Sequence, residues 1–216
     1  MRPVNKWAVW IVALGVANQA NAQTIELRSV QVSVLNGAER ERFVAAHNVA
    51  RRNLGIDPVE WSDELSQYAL ESLTQQRDDL VAQAKEKWST ERAMIPKHRT
   101  DSTFGENVAG WVGFRDNSAE LAVTFWLQEK AAFDKLNAIT PYRVGDEKDK
   151  VETDAGGKER PIIVGHYTAI VWRATRFLGA AKLSFELFDD QGSSRHYVAI
   201  VCNYSPPGNQ LGKSPY

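Results

Sequence analysis

The sequence predicts an α+β domain, with helices early in the chain and an antiparallel pair of strands near its end. Apolar residues recur at helical spacing from about residue 38 to residue 88, and again after residue 118. Later, Leu183, Phe185 and Leu187 alternate with polar residues, which is typical of a half-buried strand. A length of 216 residues suits one such domain.

The first 22 residues have the features of a secretory signal peptide. Arg2 and Lys6 precede an apolar run over residues 7–17, and Ala20-Asn21-Ala22 supplies the small residues of a cleavage site. The run is too short to span about 30 Å of hydrocarbon, and no later segment predicts a membrane span. We therefore expect export with cleavage after Ala22, to the extracellular space or a periplasm.

Residues 23–37 predict a short N-terminal arm without a clear period, and the domain is expected to span residues 38–216. Ala38 to Leu54 predicts a first helix, which Gly55 ends. Ser62 is the predicted N-cap of a second, longer helix, whose charged distal part, about residues 77–97, is expected to form a surface extension. A third helix is expected to begin at Ser118. Its apolar side is predicted to carry Leu121, Ala122, Phe125, Trp126, Glu129 and Phe133.

The last third of the chain predicts a charged loop and then a hairpin. Residues 140–160 are rich in charge and glycine, which predicts a solvated, mobile loop. Tyr197 to Cys202 is nearly all apolar and is expected to form a central strand, joined to the preceding strand by a turn at Gly192-Ser193-Ser194. Pro206-Pro207-Gly208-Asn209 then predicts irregular chain.

Charge and cysteine content exclude some classes of protein. The 26 Lys and Arg residues nearly balance the 27 Asp and Glu residues, so there is no basic field to attract nucleic acid. Cys202 is the single cysteine, so no disulfide can form within the chain, and stability must come from a packed core. We expect a monomer with no nucleic-acid partner.

Four segments, taken in order, carry a family resemblance. The segment from Gly165 to Arg173 reads Gly-His-Tyr-Thr-Ala-Ile-Val-Trp-Arg, and Cys202-Asn203-Tyr204-Ser205-Pro206-Pro207-Gly208-Asn209 follows later. Gly105-Glu106-Asn107 and the stretch from Phe43 to Trp61 precede them. Together these segments resemble the signatures of the CAP superfamily, and the C-terminal motif is similar to that of plant pathogenesis-related class-one proteins. The resemblance implies a three-layer α-β-α sandwich.

The resemblance also implies a cleft holding two histidines and two glutamates, which map onto His98, Glu106, Glu129 and His166. Two imidazoles and two carboxylates suit a divalent metal such as zinc, with the carboxylates as ligands or as partners that orient bound water. The alternative is a hydrogen-bonded polar cluster that braces three elements. The sequence predicts no organic cofactor.

Other chemically capable residues have simpler interpretations. His47 lies on the core-facing side of the first helix and is interpreted as structural, with Arg51 one turn later packing or pairing nearby. Trp126 and Trp172 are expected in the core, and Cys202 is expected to be an inert buried thiol. His196 is expected to be exposed at the start of a strand.

Three functions remain open from the sequence. We favour a non-enzymatic secreted protein that binds a small hydrophobic or lipid ligand, or a host protein, in defence or host interaction. The sterol-binding version is weakened because Gly145 to Arg160 contains no aromatic residue. The second hypothesis is a metal-dependent hydrolase that uses His98, Glu106, Glu129 and His166. The third is the precursor of a signalling peptide at residues 206–216, although a structural role for this tail is preferred.

Overall fold

The computed structural model describes residues 23–90, 93–113, 118–148, 150–153 and 156–216. The signal peptide predicted for residues 1–22, with its cleavage site, lies outside the described residues. The described helices are α1 (Gly37–Arg52), α2 (Asp63–Glu86), α3 (Ser118–Leu127), α4 (Lys130–Ile139) and α5 (Gly165–Ile170). The strands are β1 (Ile25–Val34), β2 (Glu60–Trp61), β3 (Gly105–Val112), β4 (Val151–Thr153), β5 (Glu159–Pro161), β6 (Phe177–Asp189) and β7 (Ser194–Ser205).

The central sheet has the strand order β1-β6-β7-β3, all antiparallel, with the short β2 parallel to β6. Along β7 the side chains alternate between two cores, as the two-residue period of a strand requires. Ile200 and Cys202 face a core shared with α1, α3 and α5, whereas Ala199 and Val201 face a core shared with α2. Helices therefore cover both faces of the sheet, which confirms the predicted α+β three-layer sandwich.

The two long helices begin at the caps that their sequences indicate. The side chain of Asn36 accepts from the backbone N–H of Glu39, and the Glu39 carboxylate accepts from the N–H of Asn36. Ser62 caps α2 by accepting from the N–H of Leu65 at 3.2 Å. Gly55 follows α1 with φ of 64°, a conformation that glycine adopts without strain. These caps position α1 and α2 on opposite faces of the sheet.

The structure corrects three expectations. The segment expected to be an arm forms β1, an edge strand paired with β6 over ten residues. The distal part of α2, expected to be a surface extension, buries Leu80, Val81 and Ala84 against the sheet. The third predicted helix is two helices, α3 and α4, and Phe125 of α3, expected on the apolar side, is 52% exposed.

The described parts of the charged segment at residues 140–160 contain buried contacts and strands that the sequence does not predict. Tyr142 is buried, and its hydroxyl donates to the Glu147 carboxylate at 2.6 Å. The strands β4 and β5 then pair as an exposed two-stranded hairpin. Among the described residues, no helix is both long enough and apolar enough to cross a membrane.

Candidate functional site

The Glu129 carboxylate contacts both the backbone and the ring of His166. Glu129 lies between α3 and α4, where the helical chain breaks, and His166 is the second residue of α5. One carboxylate oxygen accepts from the backbone N–H groups of His166 at 2.9 Å and Tyr167 at 3.0 Å. The other lies 2.5 Å from Nδ1 of the His166 ring. The indole of Trp126 stacks on the same ring.

His98 and Glu106 form a second histidine–carboxylate pair. Nδ1 of His98 lies 2.9 Å from Oε1 of Glu106, which also accepts from the backbone N–H of Arg99 at 3.2 Å. Oε2 of Glu106 accepts from the side-chain amide of Asn203 at 3.3 Å. The Glu106 side chain is only 5% exposed, whereas that of His98 is 57% exposed. A buried carboxylate therefore holds an imidazole that solvent can reach.

Both pairs are linked to the start of β3. Glu106 belongs to one pair, and the next residue, Asn107, donates from its side-chain amide to the carbonyl oxygen of His166 at 3.1 Å. Because successive residues of a strand project to opposite faces, the pairs approach β3 from different sides. Across the part of the chain that the structure describes, no three His, Cys, Asp or Glu side chains are grouped so as to hold a metal ion. A shared ion therefore stays a prediction.

The donor chemistry of the pairs nevertheless fits a divalent ion. An ionised carboxylate only accepts hydrogen bonds, so Nδ1 of His98 and Nδ1 of His166 must both carry the proton. Each neutral ring then presents Nε2 as a free lone pair, and neither Nε2 has a hydrogen-bond partner among the described residues. A histidine backed by a carboxylate in this way is the usual arrangement of a zinc ligand.

The remaining histidines do not join the pairs. His47 is fully buried, with Nδ1 2.8 Å from the carbonyl oxygen of Phe43 and Nε2 3.0 Å from the hydroxyl of Tyr204. Burial is the main cause that lowers its pKa to about 4, so it is neutral at neutral pH. The structural interpretation of His47 agrees with this environment. His196, expected to be exposed, is half-buried in β7.

The other side chains singled out in the sequence lie in the interior. Trp126, Trp172 and Cys202 are buried, and burial raises the pKa of the Cys202 thiol above its usual range. Arg51 is also buried, and no carboxylate in the described part of the chain forms an ion pair with it. Its guanidinium donates to the carbonyl oxygens of Asp57, Ile170, Trp172 and Thr175.

Sequence reasoning missed Asn107 and Asn203 as supports of the two pairs, and Tyr204 as a buried partner of Asn107 that contacts neither pair. All three are buried. Asn203 donates to Glu106, Asn107 donates to the carbonyl oxygen of His166, and Tyr204 accepts from Asn107. The family motifs contain these residues, so the signal was present. Taken alone, asparagine and tyrosine do not indicate a site, because neither is a strong metal ligand or a common general base.

A shallow groove of about 460 Å³ adjoins the His166 pair. Its walls are α3, α4 and the β4–β5 hairpin, with Glu129 in its lining. Phe125 and Ile163 are more than half exposed there, and Lys135 lies among them. The groove thus joins apolar surface to a cationic side chain beside the candidate site.

Comparison with known proteins identifies a family and several relatives. The model of the cysteine-rich secretory protein family, CAP, matches residues 44–204. Pathogenesis-related protein 1A1 of Solanum lycopersicum is 33% identical, and the match covers 80% of this chain and 74% of that protein. Pathogenesis-related protein 1C of Nicotiana tabacum is 30% identical, covering 82% of this chain and 80% of that protein. A crystal structure of MpPR-1i aligns with a TM-score of 0.45 and 16% identity, over 80% of this chain and 91% of that chain.

The three-layer sandwich and the two histidine–glutamate pairs thus define a CAP domain. The family model matches well over half of the chain, and the chain belongs to the CAP family. Within that family it is similar to the plant pathogenesis-related class-one proteins. The resemblance stated from the four sequence motifs is confirmed.

Proposed function

We propose that this protein is a secreted, non-enzymatic CAP protein that binds a divalent metal, zinc, through His98 and His166. The observation that carries the proposal is the pair of carboxylate-backed imidazoles, each with a free Nε2. Glu106 and Glu129 orient the rings and do not bind the ion. A role in defence or host interaction is supported by the names of the pathogenesis-related relatives.

Binding is favoured over hydrolysis because both carboxylates are already engaged. A general base needs a free lone pair within reach of the proton that it removes. Glu129 accepts from three N–H groups, and Glu106 accepts from the His98 ring, a backbone N–H and an amide. These bonds make the Glu106 and Glu129 carboxylates suitable for holding the imidazole rings in place. The hydrolase hypothesis would require either carboxylate to act through its one remaining lone pair while it still holds an imidazole.

The groove beside Glu129 is where a small hydrophobic or lipid ligand would bind. Phe125 and Ile163 offer apolar contact, and the Lys135 ammonium would face an anionic head group. Such a ligand would lie next to the His166 pair, so metal and ligand would occupy neighbouring positions. Secretion follows from the signal peptide that the sequence predicts.

The test of metal binding is a zinc titration by calorimetry at pH 7.5, on the chain without residues 1–22. We expect one ion per chain, lost in both His98→Gln and His166→Gln, and retained in His196→Gln as the control. Metal binding requires neutral imidazole, so the affinity should be weaker at pH 5.5. If each of the two variants removes only half of the binding, the ion is not shared. If neither reduces binding, these residues are not the ligands.

A further inference from the structure

We propose that Asn107 is a positioning residue that fixes His166 relative to the His98–Glu106 pair. The proposal rests on the metal-binding function proposed above, and it concerns how the two pairs are held at a set distance. Asn107 is 1% exposed and stands next to Glu106 in β3. Its amide donates to the carbonyl oxygen of His166, 59 residues later in the chain.

The direction of each hydrogen bond in this buried network follows from chemistry. The carbonyl of Phe43 can only accept, so Nδ1 of His47 carries the proton and Nε2 accepts from the hydroxyl of Tyr204. The hydroxyl oxygen then accepts from the amide of Asn107 at 3.1 Å. Both amide hydrogens of Asn107 are thereby used, one on Tyr204 and one on His166.

Asn107 completes the support of the His166 backbone. Glu129 accepts from the N–H of His166, while Asn107 donates to its carbonyl oxygen. The peptide groups on both sides of His166 are therefore fixed, and Trp126 and Glu129 fix the ring. Because Asn107 and Glu106 are consecutive residues of one strand, the bond from Asn107 ties one pair to the other.

No other side chain of similar shape can make both bonds. Aspartate has the same size, but a carboxylate cannot donate to the carbonyl oxygen of His166. Leucine also matches the volume and offers no polar atom. Tyr204, in contrast, touches Asn107 but not His166, so removing its hydroxyl spares the bond that the proposal invokes. Tyr204→Phe is therefore the matched control from the same buried network.

The experiment compares Asn107→Asp, Asn107→Leu and Tyr204→Phe by zinc calorimetry, and by crystal structures of the zinc-free proteins. Both Asn107 variants should bind zinc about 10-fold or more weakly, the range seen when a residue that supports a ligand is lost. Tyr204→Phe should bind within about threefold of wild type, although it loses two buried hydrogen bonds, to His47 and to Asn107. In the zinc-free structures, the His166 carbonyl should move away from β3 in the Asn107 variants alone.

The outcomes separate this proposal from the metal-binding function. Unchanged zinc affinity in a folded Asn107 variant would overturn the positioning role. An equal loss in Tyr204→Phe would do the same, since the effect would then come from general destabilisation. If the wild-type chain binds no zinc, the metal function fails, and the crystal structures alone decide the role of Asn107. An unmoved His166 in Asn107→Asp would then refute it.

Discussion

The rings of Trp126 and His166 lie nearly parallel, with their planes 12° apart and their centroids separated by 6.1 Å. Trp126 is fully buried, and its indole N–H donates to the carbonyl oxygen of Val108 at 3.1 Å. One side chain thus joins the core of α3, the strand β3 and a candidate metal ligand. The site is built onto the core, so its geometry and the stability of the domain should respond together.

The first prediction concerns Trp126→Phe. This variant keeps an aromatic ring beside His166 but removes the buried bond to the Val108 carbonyl and leaves space in the core, which should lower the free energy of unfolding by about 1–3 kcal/mol. Urea denaturation followed by circular dichroism measures the change. The control is Trp61→Phe, whose lost bond to Asp63 is exposed and whose ring is half-buried, so the expected effect is smaller, below about 1 kcal/mol. Equal effects of the two variants would show that the buried bond to Val108 contributes little.

The second prediction concerns Arg51→Met. Arg51 is fully buried, and its donors satisfy the carbonyl oxygens of Ile170, Trp172 and Thr175 after α5. Methionine fills similar space but removes all of the guanidinium's hydrogen bonds to buried carbonyls, at a cost of about 3 kcal/mol or more. For a domain of this size the melting temperature should fall by about 6–12 °C.

The neighbouring Arg52→Met is the matched control, because Arg52 lies on the exposed side of α1. Its melting temperature should stay within about 2 °C of wild type, corresponding to the small effects of surface substitutions. A comparable loss in both variants would mean that helix propensity or charge explains the change. The carbonyl cluster would then have no special importance.

The third prediction is a pH dependence that originates at His47. Its pKa is lowered to about 4, chiefly by burial, while an unfolded chain has the ordinary value of 6.5. Above pH 6.5 both states are neutral, so stability is unaffected. As the pH falls from 6.5 towards 4, the unfolded state binds the proton first, and about 3 kcal/mol of stability should be lost.

His47→Gln isolates this contribution from the titration of carboxylates. The free energy of unfolding of wild type and variant should be measured in urea at pH 7, 5.5 and 4. The variant will be less stable at pH 7, but its curve should fall less steeply, so the difference between the two proteins narrows with acid. Parallel curves would contradict the assignment of the acid sensitivity to His47.

The sequence predicted the sandwich and the motifs but not β1, for a specific physical reason. Ile25 and Leu27 are apolar at odd positions, and Val30 and Val32 continue the pattern at even positions. A register shift between Leu27 and Ser29 absorbs one residue, so all four side chains stay on the α2 side of the sheet. The bulge reverses the phase of the alternation, and a search for an unbroken two-residue period finds no strand.

The candidate site was predicted as four residues and is observed as two supported pairs. The family motifs identified His98, Glu106, Glu129 and His166, and each histidine does contact a glutamate. The link through Asn107 was not predicted, because it depends on which strand residue faces α5. That relation is a property of sheet register and helix packing, and local sequence does not encode it.

The last prediction concerns the C-terminal tail, residues 206–216, which is bound along the domain. The carbonyl of Pro215 accepts from the N–H of Arg173 at 2.7 Å, and Val144 exchanges backbone bonds with Gly212 and Lys213. Asn209 reaches α5, accepting from Thr168 at 2.7 Å and donating to the carbonyl oxygen of Gly165 at 2.8 Å. These contacts favour the structural role of the tail over a freely released peptide.

Deleting residues 206–216 should therefore lower the melting temperature by several degrees, for a loss of about 2 kcal/mol or more. Asn209→Gly is a milder probe, since glycine also tolerates the φ of 54° at this position but makes neither bond to α5. It should weaken zinc binding, because Gly165 and Thr168 flank His166. Gln210→Ala, on the exposed side of the tail, is the control and should change neither property. A truncated domain that melts like the full chain, together with a synthetic 206–216 peptide active on plant tissue, would instead support the released peptide.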